Sequence, residues 1–310
     1  MNNTKIKKAF SLVEISIVIL IIGLLVAGIS KASDMIFDAE LKSLRSLTKG
    51  SRVNRIPSLV LWLETTSEES MKSSERVDGG NVSYWSDINP QTTNKIIFKN
   101  QKNATNVKYV EAGINGNNIP LLSPLAQVNS DDYFVSTTMA SIYTPPLATT
   151  SSYPSNQIFP STDLTIFAVV APHASADIFS FCTYNTNVCD AGKTIKLGSS
   201  TNKIQFTMLS GASTNATVVE TAAQTAPYVI VSAIRDTTGS KIFVNGANKV
   251  TEGTANTNAT MTSFDGIFRV GPAKVFEVIA FSSRLSDAER YAVEEYLGKK
   301  YNITTTRTTF

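Results

Sequence analysis

Between Phe10 and Ile29 the chain reads FSLVEISIVILIIGLLVAGI, and Glu14 is its one ionisable residue. About 20 apolar residues is the length of a bilayer-spanning helix. A carboxylate inside such a helix costs roughly 2.5–3.5 kcal/mol at the centre and less near the end, so an anchor alone gains nothing from Glu14. A secretory signal peptide has a shorter apolar core followed by a small-residue cleavage site. Ser30-Lys31-Ala32 is a poor version of that site. A plain signal anchor accounts for the length of the run, but not for Glu14 or for the order Phe-Ser-Leu-Val-Glu.

Charge orients the segment. Lys5, Lys7 and Lys8 precede the run, and the first acidic residue is Glu14. Positive charge favours the cytoplasmic side, which predicts a cytoplasmic N-terminus and an exported remainder. Lys31 is a mild counter-signal, balanced by Asp34 and Asp38. The net charge of +3 belongs to the three leader lysines, because without them the 28 basic residues fall level with the 25 acidic ones. A near-neutral exported portion lacks the basic patch of a nucleic-acid binder.

The order basic leader, small residue, Phe, Ser, Leu, aliphatic, Glu, apolar run resembles the N-terminus of type IV prepilins and type II secretion pseudopilins over Lys5–Ile29. Ala9 stands where that family usually has Gly, and Lys31 where many major pilins carry a helix-bending Pro. The resemblance implies that a prepilin peptidase cuts between Ala9 and Phe10, that the Phe10 amine is methylated, and that Glu14 directs assembly with other pilin-like subunits. It places the chain in the bacterial inner membrane, with its C-terminal domain periplasmic and then extracellular in an assembled filament.

The helical pattern continues beyond the apolar run. Ile36, Phe37, Leu41, Leu44 and Leu47 recur at three- and four-residue spacing, which predicts a helix over 10–49 whose residues 10–29 span the membrane. Its Phe10–Leu47 portion is about 57 Å long at 1.5 Å per residue. Gly50 and the residues up to Pro57 read as a stop and a linker, 50–56.

From Leu59 the texture changes to short apolar-aromatic runs between Gly, Asn, Ser, Thr and Pro clusters. Strands are predicted near 59–64, 82–86, 95–99, 107–111, 132–137, 164–171, 176–182, 193–197, 203–209, 227–235, 240–245, 266–271 and 275–281. Alternation, as in Lys203-Ile204-Gln205-Phe206-Thr207-Met208, predicts half-buried antiparallel strands. Asn245-Gly246 is a two-residue hairpin signal. Ser286-Asp287-Ala288-Glu289 has capping-box spacing and opens a helix with Ala292, Val293, Tyr296 and Leu297 on its apolar face, closed by Gly298 and Lys299-Lys300. Residues 304–310 read as a flexible tail.

Leu59-Val60-Leu61-Trp62-Leu63-Glu64, with Tyr84-Trp85-Ser86-Asp87 and the segment 276–303, resembles concanavalin A-like (laminin G-like) jelly rolls. The implied fold class is α+β: a long N-terminal membrane and assembly helix, an antiparallel β-sandwich over 57–303, and a C-terminal helix. The resemblance is structural and does not decide function.

Catalytic chemistry is hard to find. Glycosidases use a carboxylate pair, and no single strand here carries an acidic alternation; Glu277 looks isolated. His173, the one histidine, cannot by itself build a Ser-His-Asp or two-His site. The expectation is no enzyme. Cys182 and Cys189 are the two cysteines, and in an exported protein such a pair is expected to form a disulfide. Asp131 and Asp132 are the candidate Ca²⁺ ligands, with a solvated turn as the competing reading; no other cofactor is implied. Trp62, Tyr84, Trp85 and Tyr133 could stack on sugar rings, although tryptophans inside strand patterns belong to the core.

Cleavage of residues 1–9 still leaves a subunit large for a repetitive shaft. The favoured reading is therefore a minor or tip pilin that displays a lectin- or adhesin-like module toward a glycan or surface-protein ligand. The alternatives are a type II secretion pseudopilin, a membrane-anchored carbohydrate-active enzyme, and an anchored lectin that does not polymerise.

Overall fold

The computed structural model describes residues 11–93, 95–100, 107–114, 117–124, 134–136, 163–172, 175–185, 188–200, 202–210, 216–236, 239–251, 267–271 and 273–308. The chain divides into two units, Met1–Ser43 and Leu44–Phe310.

Helix α1, Leu12–Gly50, is 39 residues long. Its Leu12–Ile29 stretch is long and apolar enough to cross a membrane. The apolar side chains there are exposed on every face of the helix, the pattern of a helix that faces an apolar solvent rather than one core. Met35 and Ile36 are exposed as well. The last turns, from Leu44, belong to the second unit. The residues read as a linker form a 3₁₀ turn, Arg52–Arg55, in which Val53 is buried.

The second unit contains sixteen described strands in chain order: β1 Leu59–Glu64, β2 Tyr84–Ser86, β3 Ile97–Asn100, β4 Val107–Ile114, β5 Asn117–Pro124, β6 Phe134–Ser136, β7 Leu164–Val170, β8 Ser175–Asn185, β9 Val188–Ser200, β10 Lys203–Ser210, β11 Ala216–Glu220, β12 Val229–Asp236, β13 Gly239–Val244, β14 Ala247–Thr251, β15 Ile267–Val270 and β16 Val275–Phe281. They form two eight-stranded sheets. The first runs β14-β13-β12-β7-β16-β5-β4, and β1 also pairs with β16. β5 meets β16 at Val275, whereas β1 pairs with Glu277 and the residues up to Phe281. The second runs β11-β10-β9-β8-β15-β6-β3-β2. Every strand-to-strand ladder within them is antiparallel.

The inner faces share one core. Leu61, Leu63, Ile166, Ala168 and Val231 from the first sheet join Trp85, Phe98, Phe134, Phe179 and Phe206 from the second. In β10, Ile204 and Phe206 are buried while Lys203, Gln205 and Thr207 are half-buried, as their alternation predicts. β7, β12 and β16 depart from the half-buried expectation, for every residue in them is buried. Their continuous apolar runs are the signature of strands covered on both faces.

The outer cover is helix α2, Asp287–Tyr301. Ser286 caps it: its Oγ accepts from Glu289 N at 3.3 Å, and Glu289 Oε2 accepts from Ser286 N at 2.9 Å. The helix ends at Asn302, which is left-handed (φ 51°), not at Gly298. Asn302 and Ile303 both donate their backbone N–H to the Gly298 carbonyl. Gly298 lies inside the helix because the returning chain crosses it: a Cβ there would lie 2.8 Å from Ile303 O.

Residues 304–308, expected to be free, fasten to the β13–β14 turn. Thr306 N donates to Asn245 O at 2.8 Å, and Thr308 Oγ1 donates to Gly246 O at 2.8 Å. Asn245 and Gly246 both have positive φ, 51° and 77°, as a type I′ hairpin requires. A Cβ on Gly246 would lie 1.9 Å from Thr306 O. Gly246→Ala should therefore lower stability by more than the roughly 1–2 kcal/mol of a left-handed residue alone, because the tail must also move. Thermal unfolding of the detergent-solubilised chain checks this; an unchanged melting temperature would show that the tail does not hold the turn.

Candidate functional site

At the N-terminus, Ala9 and Phe10 lie outside the described residues. Glu14 sits in the first turn of α1, where its Oε2 accepts from Ser11 N at 2.8 Å, and Ser11 Oγ accepts from Val13 N at 3.3 Å. Ser11-Leu12-Val13-Glu14 thus works as a helix cap, and its S-x-x-E spacing is a readable signal. The carboxylate also faces the positive end of the helix dipole.

Among the described residues of the second unit, the densest polar chemistry lies between the first sheet and α2. Glu64, last in β1, and Glu277 in β16 are directly opposite each other. Both are fully buried, and like charges facing across strands repel. From its last turn, one residue before its end at Tyr301, α2 sends Lys300 between them. Its Nζ is 2.7 Å from Glu64 Oε2 and 2.8 Å from Glu277 Oε2, and it also reaches Thr48 Oγ1 at 3.0 Å and Tyr296 OH at 3.2 Å. Glu277 accepts three neutral donors besides: Trp62 Nε1 at 2.7 Å, Tyr296 OH at 2.8 Å and Tyr301 OH at 2.8 Å. Glu64 Oε2 accepts Thr66 N at 2.9 Å and Thr66 Oγ1 at 2.6 Å, while its Oε1 has no hydrogen-bond partner among the described residues.

Burial pushes the Glu64 carboxyl upward, but Lys300 and the Thr66 donors outweigh it and hold Glu64 below its ordinary value. Burial likewise pushes Lys300 down, and Glu277 and Glu64 more than offset it, so the ammonium is held. Tyr296 and Tyr301 are raised, first by burial and then by the Glu277 charge.

A second buried cation, Arg290, stacks 3.8 Å above Phe243 and reaches Glu294 Oε1 and Oε2 at 2.9 and 3.0 Å and Asp287 at 3.1 Å. It also donates to the Thr308 carbonyl of the tail. Ser232 Oγ of β12 donates to Glu294 at 2.8 Å.

Asp87 closes the Trp85-Ser86-Asp87 turn onto β1. Its Oδ1 accepts from Trp62 N and Asn89 N, both at 2.9 Å, and its Oδ2 has no hydrogen-bond partner among the described residues. Burial raises Asp87 to about 6, only partly offset by those backbone donors.

The sequence expectations fall out unevenly. Trp62 and Trp85 are core residues: Trp62 lies edge-on to Tyr296 at 6.1 Å beneath α2, and Trp85 lies edge-on to Phe134 at 6.1 Å in the inner core. Tyr84 is half-buried with Lys72 4.8 Å above its ring. Glu277 is not isolated, because register pairs it with Glu64 of another strand. Burial of both under Lys300 makes this a charge cluster rather than an open carboxylate pair. Cys182 lies in β8 opposite Thr194, and Cys189 lies in β9 opposite Tyr184. Asp131, Asp132, Tyr133 and His173 lie outside the described residues.

No protein-family model matches the chain, and neither does any curated protein. Among solved structures, the chain is similar to the receptor-binding domain of botulinum neurotoxin type G at 12% identity and a TM-score of 0.42, covering 79% of this chain and 51% of that one. Trypanosoma rangeli sialidase gives 14% identity and a TM-score of 0.47, with 81% and 34% covered. The CBM40 of Ruminococcus gnavus IT-sialidase, bound to α2,3-sialyllactose, gives 12% and 0.36, with 44% and 84% covered. The chain thus matches about half of the neurotoxin domain and a third of the sialidase.

Two outcomes follow from this geometry. Lys300→Met should cost about 3–5 kcal/mol, the usual loss when one partner of a buried ion pair is removed, and adding Glu64→Gln should restore part of it by removing one of the facing charges. Urea unfolding of the single and double variants measures this, and a Lys300→Met chain as stable as the parent would contradict it. Asp87 has the opposite sign to a paired carboxylate. Its folded state binds the proton more tightly, so its contribution to stability is complete below the ordinary value of 3.8 and is lost as pH rises through about 6. At about 1.4 kcal/mol per unit the loss is about 3 kcal/mol. Subtracting the stability–pH curve of Asp87→Asn from that of the parent isolates it; a flat difference between pH 4 and 6 would refute it.

Proposed function

We propose that this chain is a pilin-like subunit in which α1 is the membrane and assembly element and the β-sandwich is the exported module. The observation that carries the reading is the junction Ala9-Phe10-Ser11-Leu12-Val13-Glu14 ahead of a helix apolar enough to span a bilayer, with the acid in its first turn. An anchor needs the helix but not the acid. The exposed apolar faces from Leu12 to Ile29, and Met35 and Ile36 beyond them, are surfaces for lipid and for neighbouring subunits.

In this reading a prepilin peptidase removes residues 1–9 in the bacterial inner membrane, and the new Phe10 amine is methylated. The subunit then enters a type IV pilus-like filament at a minor or tip position, with its β-sandwich displayed to a glycan or surface protein. Solved structures of similar fold include proteins named for receptor binding and for a bound sialyllactose. Their TM-scores fall below 0.5, and the ligand class rests on the jelly-roll architecture, which is common among binding modules. Export also favours a Cys182–Cys189 bond.

The helix cap sharpens the test of Glu14. Glu14→Gln keeps an acceptor for Ser11 N and removes the charge; Glu14→Val removes both. If the carboxylate meets the Phe10 amine of a neighbouring copy, both variants enter the membrane and neither enters sheared filaments. Normal incorporation of Glu14→Gln would leave Glu14 a cap alone. Mass analysis of the mature chain provides the companion result: an N-terminus at Phe10 is expected, and one at Met1 or after Ala32 would overturn the reading.

A further inference from the structure

We infer that Lys300 and Glu64 become joined by an intramolecular amide bond, formed by the folded protein itself with Glu277 as proton carrier. The inference is independent of the proposed membrane role.

Four features of the cluster point to bond formation rather than to a resting ion pair. The first is proximity. Lys300 Nζ lies 2.7 Å from Glu64 Oε2, one C–O bond from the carboxyl carbon, and fixed placement of reactants replaces a bimolecular encounter. The second is an oxyanion site. Thr66 N and Thr66 Oγ1 both donate to that same Oε2, at 2.9 and 2.6 Å, where negative charge builds when the carbon is attacked. The third is a base. Glu277 Oε2 lies 2.8 Å from Nζ, in reach for direct proton transfer. The fourth is seclusion. Glu64, Glu277 and Lys300 are 0% exposed, so water neither competes for the carboxyl carbon nor hydrolyses the product.

The hydrogen bonds of the cluster accommodate the product, although the amide nitrogen, with its one N–H, gives up the ammonium's contacts to Thr48 Oγ1 and Tyr296 OH. Glu64 Oε1, buried and without a partner among the described residues, is the atom that leaves. Oε2 stays as the amide oxygen and keeps both Thr66 donors. The remaining Nζ–H donates to Glu277, which keeps Trp62, Tyr296 and Tyr301. The Glu64 and Lys300 charges disappear, and with them their desolvation cost, while the Glu277 carboxylate loses its cation and is held by the amide N–H, Trp62, Tyr296 and Tyr301 donors.

The step balances. Glu277 takes one proton from the Lys300 ammonium, and the amine nitrogen attacks the Glu64 carboxyl carbon to form the C–N bond. The C=O electron pair moves onto Oε2 and returns as the C–Oε1 bond breaks. Two of the three ammonium protons leave on Oε1 as water, one of them through Glu277, which ends as the carboxylate it began. The third stays on the amide nitrogen. No oxidant, reductant or activated donor is needed.

The experiment is denaturing mass analysis of the full chain, followed by proteolysis. The expected result is a branched fragment that joins the peptide containing Glu64 to the peptide containing Lys300, lighter than the two together by one water. The fragment readout does not depend on what happens at the N-terminus. Lys300→Arg keeps the positive charge but forms no such link, and Glu277→Gln removes the proton carrier; both should yield linear fragments. Recovery of Glu64 and Lys300 in separate, unmodified fragments from the folded parent chain overturns the proposal. So does a water deficit that persists in Lys300→Arg. Should either variant fail to fold, the parent fragments alone decide.

Discussion

Two carboxylates face each other across β1 and β16, and a single lysine from α2 makes that register tolerable. Sheet register alone would leave Glu64 and Glu277 as a repulsive pair. Covering them with a helix removes the water that would screen them. The arrangement holds because α2 delivers Lys300 at 2.7 and 2.8 Å, and Trp62, Tyr296, Tyr301 and Thr66 occupy most of the remaining lone pairs. Four separate parts of the chain meet there: the last turn of α1 through Thr48, then β1, β16 and α2.

The same helix explains why β7, β12 and β16 in the middle of the first sheet are buried on both faces. Phe243, Ser232, Phe276 and Trp62 come from four strands, and each touches a residue of α2 or its charged partners. Keeping Arg290 beneath the helix requires acceptors, and the C-terminal tail supplies one through the Thr308 carbonyl. At Gly298 and Gly246 the backbone of the tail approaches too closely for a side chain. They allow the tail to turn back over α2 and reach the β13–β14 turn, so the outer layer is sealed by chain that carries little apolar content of its own.

Much of this was legible in the sequence wherever the signal is local. The apolar run of α1, the alternation in β10, the Asn245-Gly246 turn and the Ser286–Glu289 cap depend on neighbours within a few residues. β5 was missed because Pro120 and Pro124 demote NNIPLLSP as a strand, and β11 because ATVVE is short and follows a polar stretch. Ser11–Glu14 has the same cap spacing as Ser286–Glu289, but the membrane-like run drew the reading toward Glu14 as a buried charge. The Glu64–Glu277–Lys300 cluster was not legible at all. Each residue is unremarkable in its own segment, and Lys300 reads as an ordinary basic residue at a helix end. The pairing of β1 with β16, strands from opposite ends of the sequence of the β-sandwich, brings the two acids together, and the fold of α2 over them adds the lysine.

That pairing bears on how a displayed module would carry load. In the proposed role, tension enters the β-sandwich through the end of α1 and passes through the Arg52–Arg55 turn into β1. An antiparallel strand pulled from its end can lose its ladder bonds one after another, and among the described strands β1 pairs with β16 alone. The cluster lies at the far end of that ladder, where Glu64 pairs with Glu277. An ion pair there resists only as long as its charges stay dry. A covalent Glu64–Lys300 link would close the chain from β1 to α2 into one loop, so that tension at Glu64 passes to α2 and bypasses the strands between. Arg45 adds a second tie on the α1 side, donating from Nε to Thr66 O at 2.7 Å beside Glu64. The last turn of α1 and the buried charge cluster are therefore tied together through the same few residues: Thr48, Glu64, Thr66, Glu277 and Lys300.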